Sequence, residues 1–192
     1  MKKLIILGAN GNIAKHVIDI FKIKDDLQLT LFLRDKNRIR NKDISSCRII
    51  EGSVLDFNRL KESITGQDIV YANLAGDLEA MAKNIVRAMK ETGIKRIIAI
   101  SSIGIYETPL RQVLIPYRKL ADIIEESGLD FTILRPTWFT DADEVDYELT
   151  KKGEPEKGSV ISKKSIATFI AKVVEFPDKY VRENLGINKP NS

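Results

Sequence analysis

The 192-residue chain has one cysteine (Cys47), one histidine (His16) and one tryptophan (Trp138). A single thiol excludes an internal disulfide and any cysteine-cluster metal site, and suits a reducing compartment. No apolar run nears the ~18 residues a membrane span needs. Lys2 and Lys3 precede an apolar stretch of only Leu4 to Leu7, too short for the core of a secretion signal. A soluble, cytoplasmic protein with no membrane association is expected. Neither charge sign dominates: 31 Lys and Arg stand against 27 Asp and Glu, giving a net charge of +4 spread along the chain. That pattern argues against a nucleic-acid partner and is compatible with an anionic small ligand. There is no short-period repeat and no low-complexity tract.

What is present is an ordinary globular composition, 43% apolar and 30% charged. The length suits one domain over residues 1–192, burying roughly 70% of the surface of the unfolded chain. Six short apolar runs recur: LIIL at 4–7, LQLTLFL at 27–33, CRII at 47–50, DIVYANL at 68–74, KRIIAI at 95–100 and FTIL at 131–134. Segments at helical spacing separate most of them, so the pattern predicts an α/β, doubly wound parallel sheet with helices on both faces. Asp56, Asp77 and Ser162 are expected to cap helices, Pro116 to sit in a first turn, and Gly93 and Gly128 to end helices. Residues 141–158 turn charged and are expected to form a surface loop. Asp141, Asp143, Glu144 and Asp146 within it suggest solvated acids rather than a metal site.

The first strand runs into glycines in LIILGANGNIAKH, residues 4–16. A strand ending at Gly8, with a helix starting near Gly11, aims that helix's free N–H groups and positive dipole end at the crevice, where a pyrophosphate fits. The spacing is GxxGxxA, with Ala14 small enough for the helix to pack against the strand. A plain tight turn would use the same residues. The second strand ends in LFLRD, where a dinucleotide's adenosine ribose would lie. Arg34 there favours the 2′-phosphate of NADP over NAD. Asp35, the alternative, would take the ribose of NAD.

With these motifs, and with GSVLD, NLAGD, IAISSIGIYE, SGLDFTILRPTWFTD and VISKKSIATFIA further along, the chain resembles the atypical short-chain dehydrogenase/reductases. Within that group it is similar to the NmrA-like and NAD(P)H-binding proteins related to biliverdin reductase B and flavin reductase. The resemblance implies a Rossmann fold holding NADP(H). It places Gly8, Asn10, Gly11, Asn12 and Ile13 around the pyrophosphate and Arg34 at the 2′-phosphate. Ser53 and Val54 would flank adenine, although many relatives have Asp at the Ser53 position. Leu74, Ala75 and Gly76 would pass the ribose, Ser101 would join the cofactor site, and Pro136 and Thr137 would lie near nicotinamide.

Better-known relatives use a serine after the fifth strand and a Tyr-x-x-x-Lys pair on the next helix, the phenol moving a proton and the ammonium lowering its pKa. Ser102 matches the serine. Ungapped alignment puts Leu114 and Arg118 at the pair's positions, while a slipped one makes Tyr117 the acid, with Arg118 or Lys119 nearby. Tyr106 has no lysine four residues later, and His16 is expected to face solvent. Without the pair, acceptors that stabilise added electrons themselves (flavins, quinones, conjugated carbonyls) are favoured, with Trp138 and Phe139 either a wall for a flat substrate or part of the core. The expectation is an NADPH-dependent oxidoreductase with a small-molecule acceptor. The alternative is a redox-sensing NADP-binding regulator acting on a protein partner. A sugar-nucleotide epimerase or dehydratase ranks third, because the chain is short for the substrate domain of those relatives.

Overall fold

In the computed structural model, which describes all 192 residues, the six predicted strands form β1 (Lys2–Leu7), β2 (Leu27–Leu33), β3 (Arg48–Glu51), β4 (Ile69–Ala72), β5 (Arg96–Ile100) and β6 (Asp130–Pro136). Four further strands are β7 (Trp138–Thr140), β8 (Glu148–Lys151), β9 (Val160–Ser162) and β10 (Glu183–Asn188). The main sheet has the order β3-β2-β1-β4-β5-β6-β10-β8 and is parallel except for the β8–β10 pair. β7 and β9 form a separate parallel pair.

Alternation along β1 explains the two-faced core. Leu4 and Ile6 point into one apolar cluster, with Ile13, Val17 and Phe21 of α1 (Asn12–Phe21) and Ile166, Phe169 and Ile170 of α5 (Lys163–Glu175). Ile5 and Leu7 point the other way, towards α2 (Phe57–Ile64), α3 (Leu78–Thr92) and α4 (Ile115–Glu125). Both faces being covered is why the strands are continuous apolar runs.

The expected helix punctuation is in place. Asp56 and Asp77 accept the N–H groups of Arg59 and Ala80, each at 3.1 Å, and Ser162 accepts that of Ser165 at 2.9 Å. Gly93 ends α3 at φ 77°, a left-handed position that a side chain would strain.

Of the strands absent from the sequence reading, β10 mixes polar with apolar residues for a specific reason. β10 contains Asn184, 4% exposed, whose side-chain oxygen accepts from Arg135 and whose amide donates to Tyr106 Oη and Glu125, each at 2.8 Å. Arg135 on β6 is 1% exposed and pairs with Glu156 at 2.8 Å, while the other Glu156 oxygen accepts the Gly104 N–H at 2.7 Å. A buried guanidinium and its partners thus replace the apolar pattern that marks the other strands.

Segment 141–158 is charged, and it contains β8 as well as this partly buried glutamate. Asp141 and Asp143, 84% and 89% exposed, are the solvated acids expected, each beside a lysine (Lys163 and Lys164), while the partly buried Glu144 pairs with Lys189.

Removing one partner of a buried pair leaves a charge uncompensated. Glu156→Ala is therefore expected to lower stability by about 3 kcal/mol, a fall in Tm of roughly 6–12 °C for a chain this long. Calorimetry checks this, and an unchanged Tm would mean that water replaces the carboxylate at no cost.

Candidate functional site: a cleft at the strand ends

At the carboxyl end of the sheet the chain leaves β1 for β2 on one side and reaches β4 on the other, and a crevice opens at this reversal. It is one continuous cleft of about 600 Å³. Gly8 turns the chain out of β1 at φ 84°, and its N–H and that of Ala9 both bond to Phe32 O, at 3.0 and 3.2 Å. A Cβ on Gly8 would lie 2.2 Å from the carbonyl oxygen of Asn73, and one on Gly11 2.2 Å from the Asn73 amide nitrogen. Glycine is therefore required at position 8, whose Cβ would meet backbone, while a side chain at Gly11 would displace the Asn73 amide. Asn73, a polar residue directly after the apolar IVYA, is the sequence signal for this contact.

α1 begins at Gly11 with no side-chain cap and no acid in its first turn, whereas α2, α3 and α5 are each capped by an Asp or Ser. Its first N–H groups, at Asn12, Ile13 and Ala14, are the ones a helix cannot satisfy internally, and they lie where Asn10, Gly11, Asn12 and Ile13 line the cleft. Such a terminus attracts an anion.

One strand over, Arg34 also lines the cleft, is exposed, and makes no hydrogen bond or ion pair. The neighbouring Asp35 is engaged: its Oδ1 accepts the Asn37 N–H at 3.0 Å and caps the short turn Lys36–Arg38. Ser53 and Val54 continue this wall, with Ser53 Oγ accepting the Leu55 N–H at 3.2 Å.

Leu74, Ala75, Ser101, Ser102, Tyr117, Pro136 and Thr137 line the cleft as well. Gly76, expected beside them, does not: at φ 110° it turns the chain away towards α3. Ser101 is buried and donates to the Tyr117 carbonyl at 3.0 Å, fastening β5 to α4, and Ser102 donates to Ile103 O at 3.1 Å. The Thr137 hydroxyl, in a residue 4% exposed, has no partner within the protein.

At the positions of the relatives' Tyr and Lys, Leu114 faces the cleft and Arg118 grips Asp122 at 2.7 and 2.9 Å, with its guanidinium 4.7 Å from the Tyr106 ring. Lys119 points to Glu79, 3.3 Å away. Tyr106 lies outside the cleft in the Arg135 cluster, where burial first, and then Glu125, push its phenol pKa up. His16 is half-buried on α1 and also outside the cleft; partial burial, then Lys15 and Lys163, lower its pKa.

Trp138 and Phe139 form the outer wall and are 76% and 43% exposed. The sequence reading passed over Asn73, Arg111 and Val113. Arg111 and Val113 sit in an irregular connection before α4, where no periodicity marks a role.

A Rossmann-fold NAD(P)-binding family protein from Shigella flexneri superposes with a TM-score of 0.93 at 46% identity, covering 100% of this chain and 95% of that one. A short-chain dehydrogenase/reductase from Veillonella parvula, solved in complex with NADP, gives 0.88 at 27% identity over 99% and 95%. Among curated proteins, the uncharacterized sugar epimerase YhfK of Bacillus subtilis (strain 168) is 28% identical over 70% of this chain and 71% of its own. The NAD(P)H-binding family model matches residues 8–177. Glycine turn, uncapped helix and strand-end cleft all fall within that match, and the chain belongs to the NAD(P)H-binding family.

Proposed function

We propose that the protein is an NADPH-dependent reductase that passes reducing equivalents to a flavin, a quinone or a conjugated carbonyl compound. One observation carries this reading: a single cleft runs from the unpaired Arg34, past the uncapped start of α1, to an exposed aromatic wall at Trp138 and Phe139. The residues fit the cofactor. Gly8 leaves no room for a side chain, Gly11 holds the Asn73 amide close, α1 offers free N–H groups to a pyrophosphate, and Thr137 holds a hydroxyl lacking a partner. With Asp35 engaged as a cap, Arg34 is the group available for a 2′-phosphate. The Veillonella protein's complex with NADP supports the same choice.

NADPH supplies a hydride, two electrons with one proton, when bound. The protein's part is then to orient and to exclude water: Pro136 and Thr137 define the floor, while Leu114, Ile103 and Phe139 surround it with apolar surface. A conjugated acceptor spreads the added charge and takes its remaining proton from solvent or Ser102. Arg118 and Lys119, the cations that a tyrosine-centred proton relay would draw on, are committed to Asp122 and Glu79. That commitment favours self-stabilising acceptors over simple ketones. It also supports a second reading, a regulator that binds NADP(H) without turnover and signals to a protein partner.

Following NADPH consumption over flavins, quinones and conjugated carbonyls separates the two readings. Turnover with at least one acceptor class is expected, and tight NADPH binding with no turnover on any would establish the regulator. Arg34→Ala is expected to weaken NADPH binding about 10- to 100-fold while leaving NADH within a factor of about two, as measured by titration calorimetry. Equal weakening of both would overturn the 2′-phosphate role. Gly11→Ala, which forces Asn73 aside, is expected to weaken both nucleotides more than about 10-fold.

A further inference from the structure

The chain contains one Asn-Gly step, Asn10–Gly11, and it lies in the turn between β1 and α1. An asparagine before glycine is open to attack by its own backbone: the next residue's amide nitrogen adds to the side-chain carbonyl carbon. Glycine, with no Cβ, neither shields that nitrogen nor restricts the rotation that brings it close. A C–N bond forms and ammonia leaves, giving a five-membered succinimide. Water then opens the ring at either carbonyl, giving aspartate or isoaspartate, with no change of oxidation state.

Asn10 meets the conditions for this reaction. Its side chain is exposed, lines the cleft and makes no hydrogen bond. The attacking nitrogen, that of Gly11, is held only by the Gly8 carbonyl, 3.0 Å away. Either product puts a carboxylate beside the uncapped start of α1, where it competes with a pyrophosphate for the same positive terminus. Isoaspartate also adds a methylene to the backbone between residues 10 and 11, and Gly11 already packs against the Asn73 amide.

We propose that Asn10 is a self-modification site that inactivates the nucleotide-free cleft, and that bound NADP(H) protects it. The proposal rests on the pyrophosphate occupying this turn, where it holds the Asn10–Gly11 step closed and keeps water from it. The state of residue 10 then records how long the cleft has stood empty.

The test is to incubate the protein under warm, mildly alkaline conditions with and without NADP+, following the peptides that carry Asn10 and Asn191 by mass spectrometry. Asn191, exposed and followed by the small Ser192, is a reference outside the cleft. NADP+ at about 100 times its Kd leaves roughly 1% of the protein free, so Asn10 conversion is expected to slow more than about 10-fold while Asn191 keeps its rate. Converted protein, separated by its added charge, is expected to bind NADP+ at least about 10-fold more weakly in titration calorimetry, as is Asn10→Asp. Asn10 left intact in the nucleotide-free protein long after the isolated peptide of residues 4–15 has converted would overturn the proposal. So would equal slowing of Asn10 and Asn191, or converted protein that binds NADP+ as tightly as fresh protein. Failure of fresh protein to bind NADP+ at all would instead remove the reading beneath it.

Discussion

The ends of β1 and β4 meet more closely than side chains allow. Asn73 presses on Gly8 with its carbonyl and on Gly11 with its amide, and a methyl group at either glycine would fall 2.2 Å from an Asn73 atom. α1 starts directly after that contact. With Gly11 as its first boundary residue and no cap available, the helix presents unsatisfied N–H groups to the cleft instead of closing them with its own side chain. The affinity for an anion follows from this arrangement, and the position of Arg34 one strand away matters only because the helix terminus is open beside it.

A second constraint acts from behind the cleft. Arg135 precedes Pro136 and Thr137, which line the floor, and its partner Glu156 also holds the Gly104 N–H in the loop that carries Ser102. One ion pair thus links two loops that line this end of the cleft, using a residue from the charged segment between β8 and β9. Burial of the pair makes this link costly to break, although it adds little to stability compared with an apolar core. The pair therefore fixes the position of these two loops against each other.

The parts of this architecture governed by local rules could be read from the chain alone. The six apolar runs, the Asp56, Asp77 and Ser162 caps, the Gly93 stop and the cleft positions of Gly8, Gly11 and Arg34 follow from periodicity and from what single residues can do. β8 and β10 could not, because polar residues such as Thr150, Asn184 and Asn188 interrupt their apolar ones, and Asn184 is satisfied only by partners far away in sequence, such as Arg135. Arg111 was hidden for a different reason: it lies in an irregular connection and reaches a cavity assembled from many segments. Gly76 shows the limit of carrying over a motif, since its positive φ turns it out of the wall that its neighbours Leu74 and Ala75 form.

The most direct test of the central claim, that the open start of α1 and Arg34 together select NADP(H), is a crystal structure with NADP+ bound. The account predicts the pyrophosphate within hydrogen-bonding distance of the Asn12 and Ile13 N–H groups and the 2′-phosphate on the Arg34 guanidinium, with Asp35 still capping its turn. A nucleotide whose 2′-phosphate points to solvent, or whose ribose is held by a released Asp35, would contradict it.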